Sequence, residues 1–209
     1  MNSKFIKKIL LCLLLTPMAS FGAWFGDSKP PDDLALKAAT ELAQNRVVSG
    51  TEARAFKRDN GWVDPDSANR YLVRYTYEMA LKADMPQAVL GLAKEFEVTL
   101  SEFDKNPNDA SPYGQASINI VLLSTNWTND QNNLMDRVNR LVSTCDQCIA
   151  YWNNEDGDEK TTDRHRIAFR ASWAHLESMG FKDDMKKGDG APWNLTVTFM
   201  KTENGWEKI

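Results

Sequence analysis

The strongest constraint on the fold is a long run of alternating side chains at residues 70–82. Large side chains occupy every second position of this run: Tyr71, Val73, Tyr75, Tyr77, Met79 and Leu81. Because successive side chains of a strand point to opposite faces, the pattern predicts a half-buried antiparallel strand. Its apolar face must be covered by other parts of the chain.

A second alternating run, near the carboxyl end, predicts a partner for that strand. Trp193, Leu195, Val197 and Phe199 alternate with residues that are mostly small and polar. Asn204 and Gly205 form a strong hairpin-turn signal, and Trp206 begins the predicted return strand. We expect the two long strands to share one antiparallel sheet, with both apolar rows facing helices.

Three amphipathic segments predict the helices. The first is capped by Asp32 and buries the stripe Leu34, Ala38 and Leu42, and the second opens at Asp84 and buries Val89, Leu92 and Phe96. The third is capped by Thr128 or Asn129 and continues past Cys145 to Ile149. Helices mixed with strands predict an α+β fold, an antiparallel sheet covered by helices, in a single domain at residues 34–209 after an extended lead-in at 23–33.

Three further segments carry less decisive patterns. Residues 52–57 are expected to form a short helical piece, followed by a turn at Asn60 and Gly61 and another at Asp64 and Pro65. The short, branched run at residues 118–123 favours a buried strand, although its periodicity also permits a helix. Residues 164–179 fit both patterns, and we expect a strand in their first part.

The amino terminus is typical of a secretory signal peptide. Three lysines precede a short apolar run at residues 9–15, Pro17 interrupts it, and Ser20 and Gly22 provide the small residues of a cleavage site. A membrane anchor would need about 20 apolar residues. We therefore expect cleavage of residues 1–22 and a periplasmic or secreted protein.

Charge limits the partners that the mature chain can take. Residues 1–22 hold three lysines and no acid, so their removal changes the formal net charge from −4 to −7. An acidic protein is a poor partner for nucleic acid or for an anionic membrane surface. No later apolar run is long enough for stable membrane insertion.

Cys145 and Cys148 are the cysteines that remain after cleavage, and in an oxidising compartment we expect them to form a disulfide. In redox enzymes this spacing opens a helix that follows a strand. Here it falls near the end of a predicted helix, which favours a structural cross-link. A zinc site would need two more ligands, and only His165 and His175 are available, so we expect no metal site.

Other motifs carry little chemistry. The acidic loop at residues 154–159 places Trp152 where a calcium loop needs its first acidic ligand. Asp64, Asp66, Asp183 and Asp184 fall in predicted turns, where aspartate is common for backbone reasons. No nucleophile or phosphate-binding motif is present, so the sequence assigns no catalytic residue and no cofactor.

All seven tryptophans lie in the mature chain. Most are expected in the core or on a sheet face, because tryptophan buries a large area. Trp24, Trp62 and Trp127 lie near predicted turns or ends, and tryptophan is enriched at binding hot spots. We take these three as candidate binding residues.

The closing residues VTFMKTENGWEKI resemble the last hairpin of NTF2-like (cystatin-like) domains, in which a strand, a tight turn and a Gly-Trp return strand finish the sheet. Helices before the first strand also suit that family. The resemblance implies an antiparallel sheet that curves around a pocket, and it transfers no functional residue to this chain.

Two functions agree with these patterns. The first is an exported, non-enzymatic binding or accessory protein that holds a partner protein or a small ligand on an open sheet face or in a pocket; an immunity or inhibitor protein is one specific form. The alternative is a small periplasmic enzyme whose site combines scattered aspartates with His165 or His175. A buried carboxylate within hydrogen-bond reach of a histidine, in an apolar pocket, would favour the enzyme.

Overall fold

A computed structural model describes residues 28–108, 111–125 and 131–209. In chain order the elements are α1 (Asp32–Gln44), β1 (Thr51–Asp64), β2 (Ser67–Leu81), α2 (Met85–Lys105), α3 (Pro112–Thr125), α4 (Gln131–Ser143), α5 (Asp146–Asn153), α6 (Glu159–Ser178), β3 (Gly190–Thr202) and β4 (Gly205–Lys208). This is the predicted α+β fold. The signal peptide and the predicted cap at Thr128 or Asn129 lie outside the described residues.

The four strands form one antiparallel sheet in the order β1-β2-β3-β4. The predicted pairing of the two long strands is confirmed, since Val73 lies opposite Val197 and Tyr71 lies opposite Phe199. Both apolar rows are therefore on the same face of the sheet, and both belong to the buried core. The opposite face carries polar side chains such as Arg74 and Thr196.

Among the described residues, the helices pack on the apolar face of the sheet. The first helix, α1, lies against β1 and β3, while α2 packs chiefly on α6 and α3. Both predicted covering stripes belong to the common core. The largest fully buried side chains come from both layers: Trp173, Phe169, Phe181, Phe199 and Met79.

The predicted helical piece at residues 52–57 is wrong, because these residues belong to β1. Residues Asn60 and Gly61, predicted as a turn, also continue this strand, whereas a turn does follow Asp64. Irregularities interrupt the β1–β2 register between Arg54 and Lys57 and again between Arg58 and Asn60. These bulges shift the inward-facing positions away from strict alternation, so the sequence of β1 does not have the period of a regular strand.

The predicted strand at residues 118–123 is also wrong, because the run lies inside α3. This helix packs through Ser117 and Ile120, while Ile118 and Leu122 are exposed. Ser117 Oγ donates a hydrogen bond to the carbonyl of Thr99 at 2.8 Å, which joins α3 to α2. Its small side chain permits this close approach.

The strand expected in the first part of residues 164–179 is a helix as well, since the whole segment to Ser178 belongs to α6. Most of its fully buried residues recur at helical spacing, as in Ala168, Phe169, Ser172, Trp173 and Leu176, and Ala171 widens the buried face. The alternation that suggested a strand combines residues from different sides of this helix.

The predicted third helix is two helices. Cys145 separates them in an extended conformation, with φ −146° and ψ 112°, and caps the start of α5. The apolar positions of α4 and α5 had suggested one continuous stripe, but the chain changes direction at this residue.

The chain that leaves the sheet after β2 is hydrogen-bonded to the chain that returns to it before β3. The amide of Leu81 donates to the carbonyl of Asp189 at 2.9 Å, and the amide of Gly188 donates to the carbonyl of Leu81 at 2.8 Å. Asp84 also accepts a hydrogen bond from the amide of Lys187 at 2.9 Å. Residues 82–189 thus form an excursion whose two ends are joined.

No helix within residues 28–108, 111–125 and 131–209 combines the length and the apolar character needed to cross a membrane.

Candidate functional site

Two arginines lie one turn apart on α6, beside the last turn of α5. Arg166 Nε donates to the carbonyl of Trp152 at 3.4 Å, and its guanidinium carbon lies 5.8 Å from the centre of the Trp152 ring. Arg170 Nε donates to the carbonyl of Arg166 at 3.2 Å. Both side chains are half-buried, so the helix holds two neighbouring positive charges in a partly desolvated position.

Neither arginine has an acidic partner within 4 Å among the described residues. Burial lowers the pKa of Arg170, and the positive charge of Arg166 lowers it further, while Asp163 acts in the opposite direction. Two like charges four residues apart on a helix also repel each other. An anion bound at this point would relieve both unfavourable effects.

These arginines lie in a cleft of about 500 Å³ between α4, α5 and α6, which we call the arginine cleft. Met135 and Asn139 of α4 and Trp152 of α5 form its walls; Asp163, Arg166, Ile167 and Arg170 of α6 form its floor. The lining combines apolar surface with a few convergent polar groups, which is typical of sites for small ligands.

A second cleft, of about 460 Å³, lies next to the first along the same helix. Its apolar lining comes from Leu100, Phe103, Val121 and Ile167, and we call it the apolar cleft. Its basic residues are already paired, because Asp104 Oδ2 lies 2.7 Å from Arg164 Nη2 and 3.2 Å from Lys160 Nζ. Ile167 and Asp163 line both clefts.

His165 lies beside a carboxylate, which meets only one condition of the enzyme hypothesis, because Glu97 is partly exposed and the pair lines neither cleft. Its Nε2 is 3.1 Å from Glu97 Oε1, and its Nδ1 is 3.0 Å from the carbonyl oxygen of Tyr151. A carbonyl can only accept, so Nδ1 carries a proton and donates it. The imidazole also stacks on the Tyr151 ring, with the centroids 4.2 Å apart.

The tyrosine completes this group. Burial, followed by the charge of Glu97, raises the pKa of Tyr151, so its hydroxyl stays protonated. It can donate to Glu97 Oε2, which lies 3.3 Å away. The three side chains join α2, α5 and α6. None of them appears in the lining of the arginine cleft or of the apolar cleft.

His175, the other histidine candidate, is near the end of α6, where it meets the edge of the Phe96 ring. Burial lowers its pKa, so the neutral imidazole is the favoured form at this position. The described residues place no carboxylate in an ion pair with it. His175 therefore behaves as part of the helix packing.

Cys145 and Cys148 form the predicted disulfide. They lie at the start of α5, so the predicted position near the end of a helix is wrong. The amide of Cys148 donates to Cys145 Sγ at 3.2 Å, and the two residues are only 6% and 0% exposed. A thiol of a redox partner would need access to a sulfur atom, which this burial opposes.

We therefore expect a structural disulfide. Replacing Cys145 and Cys148 together by alanine should lower the free energy of unfolding by about 2 kcal/mol or less, because the closed loop is short. Urea denaturation of the variant, and of the wild-type protein with and without reductant, would measure the loss. The reduced protein should match the variant. A variant that keeps wild-type stability but loses ligand binding would show that the cysteines have a different role.

Asp183 belongs to an ion cluster that joins α4 to the chain after α6. Arg137 donates two hydrogen bonds to it, from Nε at 2.9 Å and from Nη2 at 3.1 Å. Arg137 Nη2 also lies 2.7 Å from Glu177 Oε1, and the guanidinium carbon is 4.4 Å from the centre of the Trp173 ring. The Trp173 indole donates to Asp183 Oδ1 at 2.7 Å. The polar groups of this ion cluster hydrogen-bond to one another, which favours a structural role.

Trp62 lies on the polar face of the sheet, in β1. It is half-buried, and the guanidinium carbon of Arg74 is 5.4 Å from the centre of its ring. The arginine cleft is formed by helices on the other side of the sheet, so Trp62 is not part of it. Trp24 and Trp127 lie outside the described residues, and the role of all three tryptophans stays a prediction.

Metal binding finds no geometric support in the described segments of the chain, where no three histidine, cysteine or acidic side chains converge. The acidic loop before α6 has a structural use, because the Asp158 side chain accepts a hydrogen bond from the amide of Thr161 at 2.7 Å and caps the helix.

Sequence reasoning missed the arginine cleft and Trp152. The available signal was the spacing of Arg166 and Arg170, which places two like charges on one side of a helix. This signal depends on assigning residues 164–179 to a helix throughout. A strand in the first part of that segment conceals the relation between the two charges.

No protein-family model matches this chain, and neither a curated protein nor a solved structure matches it.

Proposed function

We propose that the protein is an exported, non-enzymatic binding protein whose ligand presents an acidic group to Arg166 and Arg170. The single observation that carries the proposal is that these two half-buried arginines lie in an open cleft where no carboxylate of the described residues comes within 4 Å of either guanidinium group. Two adjacent arginines provide several N–H donors, which suit a carboxylate or a phosphate.

The energetic cost of this arrangement supports a functional role. A pair of like charges that is partly removed from water destabilises the ligand-free protein. Residues of this kind are common at binding sites, where stability is lost in exchange for function. The mature chain has a formal net charge of −7, so a concentrated positive site is unusual for its composition.

Export is the other part of the proposal. It rests on the lysine-rich start, the short apolar run and the small residues at Ser20 and Gly22. The buried disulfide agrees with an oxidising compartment such as the periplasm or the extracellular space.

The enzyme alternative has one observation in its favour, which is the contact between Glu97 and His165. Both ring nitrogens of that histidine already face protein acceptors, and the ring is stacked on Tyr151. A general base must reach a substrate proton. The group is therefore better suited to joining three helices than to proton transfer.

An immunity or inhibitor role remains a more specific form of the binding hypothesis, and it rests on the acidic charge of the chain and on export. Such a protein would act through a broad surface. The arginine cleft instead has the volume of a small-ligand site, about 500 Å³. We therefore favour a small ligand, or the acidic end of a larger one.

The test uses the folded, oxidised protein and butyrate as a simple carboxylate, at constant ionic strength and pH 7. We expect butyrate to raise the melting temperature of the wild-type protein in a concentration-dependent way, because it binds only the folded state. The variant Arg170→Met should lose this response. The same substitution should leave the ligand-free protein as stable or raise its free energy of unfolding by about 1 kcal/mol, since it removes a desolvated charge.

The sign of that stability change separates a binding role from a structural one. A structural arginine would destabilise the protein when it is replaced. Arg70→Gln, on β2, removes the same charge at an exposed position and should leave the response to butyrate unchanged. The proposal would be wrong if the two variants responded to butyrate equally, or if Arg170→Met unfolded the protein.

A further inference from the structure

We infer that the ligand is a single-chain acidic amphiphile that lies across α6, with its acidic group in the arginine cleft and its hydrocarbon chain in the apolar cleft. This inference rests on the proposed function and specifies the ligand of that same site.

The first argument is that the two clefts are contiguous. Asp163 and Ile167 line both of them. The α6 positions that line the apolar cleft, from Lys160 to Ile167, and those that line the arginine cleft, from Asp163 to Arg170, occupy neighbouring sectors of one helix face. A ligand that crosses the helix beside Ile167 therefore passes from one cleft into the other.

The second argument is the distribution of charge. In the apolar cleft, Arg164 and Lys160 are both bound to Asp104, so an incoming acid would have to displace a carboxylate that is already in place. The hydrogen bonds from these side chains lower the pKa of Asp104, which keeps it ionised. In the arginine cleft the guanidinium groups lack such a partner among the described residues. The acidic end of the ligand therefore belongs beside Arg170.

The third argument is the chemistry of the apolar cleft. Leu100, Phe103, Val121 and Ile167 provide a surface that gains from removing methylene groups from water. Asp104 and Glu159, which line this cleft and not the arginine cleft, would repel a second negative charge on the ligand. The distal part of the ligand is therefore an uncharged hydrocarbon chain.

A free molecule in solution fits this site better than a membrane surface. The apolar residues form the lining of a recess between helices, with Leu100 only 6% exposed, and do not protrude as an insertion loop would. The net charge of −7 after cleavage also opposes approach to an anionic bilayer.

The experiment is a calorimetric titration of the full mature protein with butyrate, hexanoate and octanoate, each below its micelle-forming concentration. Each methylene that is fully removed from water should tighten binding about fourfold. Since the chain is partly exposed at the rim, we expect octanoate to bind at least about tenfold more tightly than butyrate. The variant Arg170→Met should weaken the binding of all three acids.

The matched variants are Phe103→Asn and Val98→Asn, both on α2. Phe103 lines the apolar cleft, whereas Val98 is 62% exposed and is not among its lining residues. Phe103→Asn should remove most of the gain from chain length and leave butyrate binding unchanged. Val98→Asn should behave like the wild-type protein. Circular dichroism would establish that both variants are folded.

The outcomes separate this inference from the proposed function. If butyrate binds in an Arg170-dependent way but the longer acids bind no more tightly, the inference of an amphiphilic ligand is wrong, whereas the proposed anion site is supported. If none of the acids binds, both are wrong. Flotation with vesicles of phosphatidylcholine and phosphatidylglycerol provides a third arm, and binding to vesicles without binding to monomeric octanoate would overturn the inference in favour of a membrane surface.

Discussion

Val197→Asp is expected to unfold the protein at ordinary temperatures. Val197 is fully buried and lies opposite Val73, which is also fully buried. An aspartate at this position would place a carboxylate in the core between the sheet and the helices without a cation to pair with. A buried, unpaired charge costs several kcal/mol, which is most of the stability of an ordinary domain.

Thr198→Asp provides the control, because the next residue of the strand points to the polar face. Thr198 is half-buried and lies opposite Leu72. Aspartate is unfavourable in any strand, so both variants share that cost and differ in the face that they modify. Thermal unfolding followed by circular dichroism would compare them. Equal melting temperatures would contradict the inside–outside pattern of the sheet.

Replacing Arg137 by alanine should have the second-largest effect on stability. The substitution removes three charge-assisted hydrogen bonds and the contact with the Trp173 ring, and it leaves Asp183 and Glu177 beside each other without their cation. We expect a loss of about 2–3 kcal/mol in the free energy of unfolding, measured by urea denaturation. Arg137→Lys should recover less than half of it, because an ammonium group cannot form the two-pronged contact with Asp183.

Arg140→Ala is the matched control for that variant. Arg140 lies one turn further along α4, is exposed, and forms no ion pair with the described residues. Its loss should change the free energy of unfolding by less than about 0.5 kcal/mol. Similar losses for the two alanine variants would show that the ion cluster does not stabilise the junction between α4 and α6.

The elements with a regular pattern could be predicted from the sequence. The strand β2 alternates strictly over its inward face from Tyr71 to Leu81, and β3 has the same period. The final hairpin agrees with the turn signal of Asn204 and Gly205, although the turn itself comprises Glu203 and Asn204 and Gly205 already begins β4. In each case the local pattern and the tertiary environment favour the same structure, which is the condition under which such predictions succeed.

The errors have physical causes. In β1 the bulges move the inward positions to Thr51, Ala53, Phe56 and Arg58, so the steps are two, three and two residues and the strict alternation of a regular strand is lost. In α3 five of the six side chains at residues 118–123 are apolar, so little periodicity remains to distinguish helix from strand. Both cases are decided by packing against distant parts of the chain.

The candidate site was less accessible to prediction than the fold. It depends on the proximity of Trp152 to Arg166, which are joined by a loop and a helix turn, and on walls from α4. The acidic composition of the chain gives no indication of a local positive site. The absence of an ion pair to Arg170 among the described residues is a property of three-dimensional packing, and it leaves no signal in the sequence.

Strands β2 and β3 pair with each other although residues 82–189 separate them in the chain, and this separation limits the order in which the chain can fold during synthesis. The hairpin of β1 and β2 is complete long before β3 exists, since residues 82–189 must be made first. Pairing across such a separation is slow, and the entropic cost of closing it is reduced only when the helices have assembled. Until then the tyrosine row of β2 and its outer edge are open to other unfolded chains, so the unfinished chain is the form most exposed to aggregation and the one that would benefit most from a chaperone.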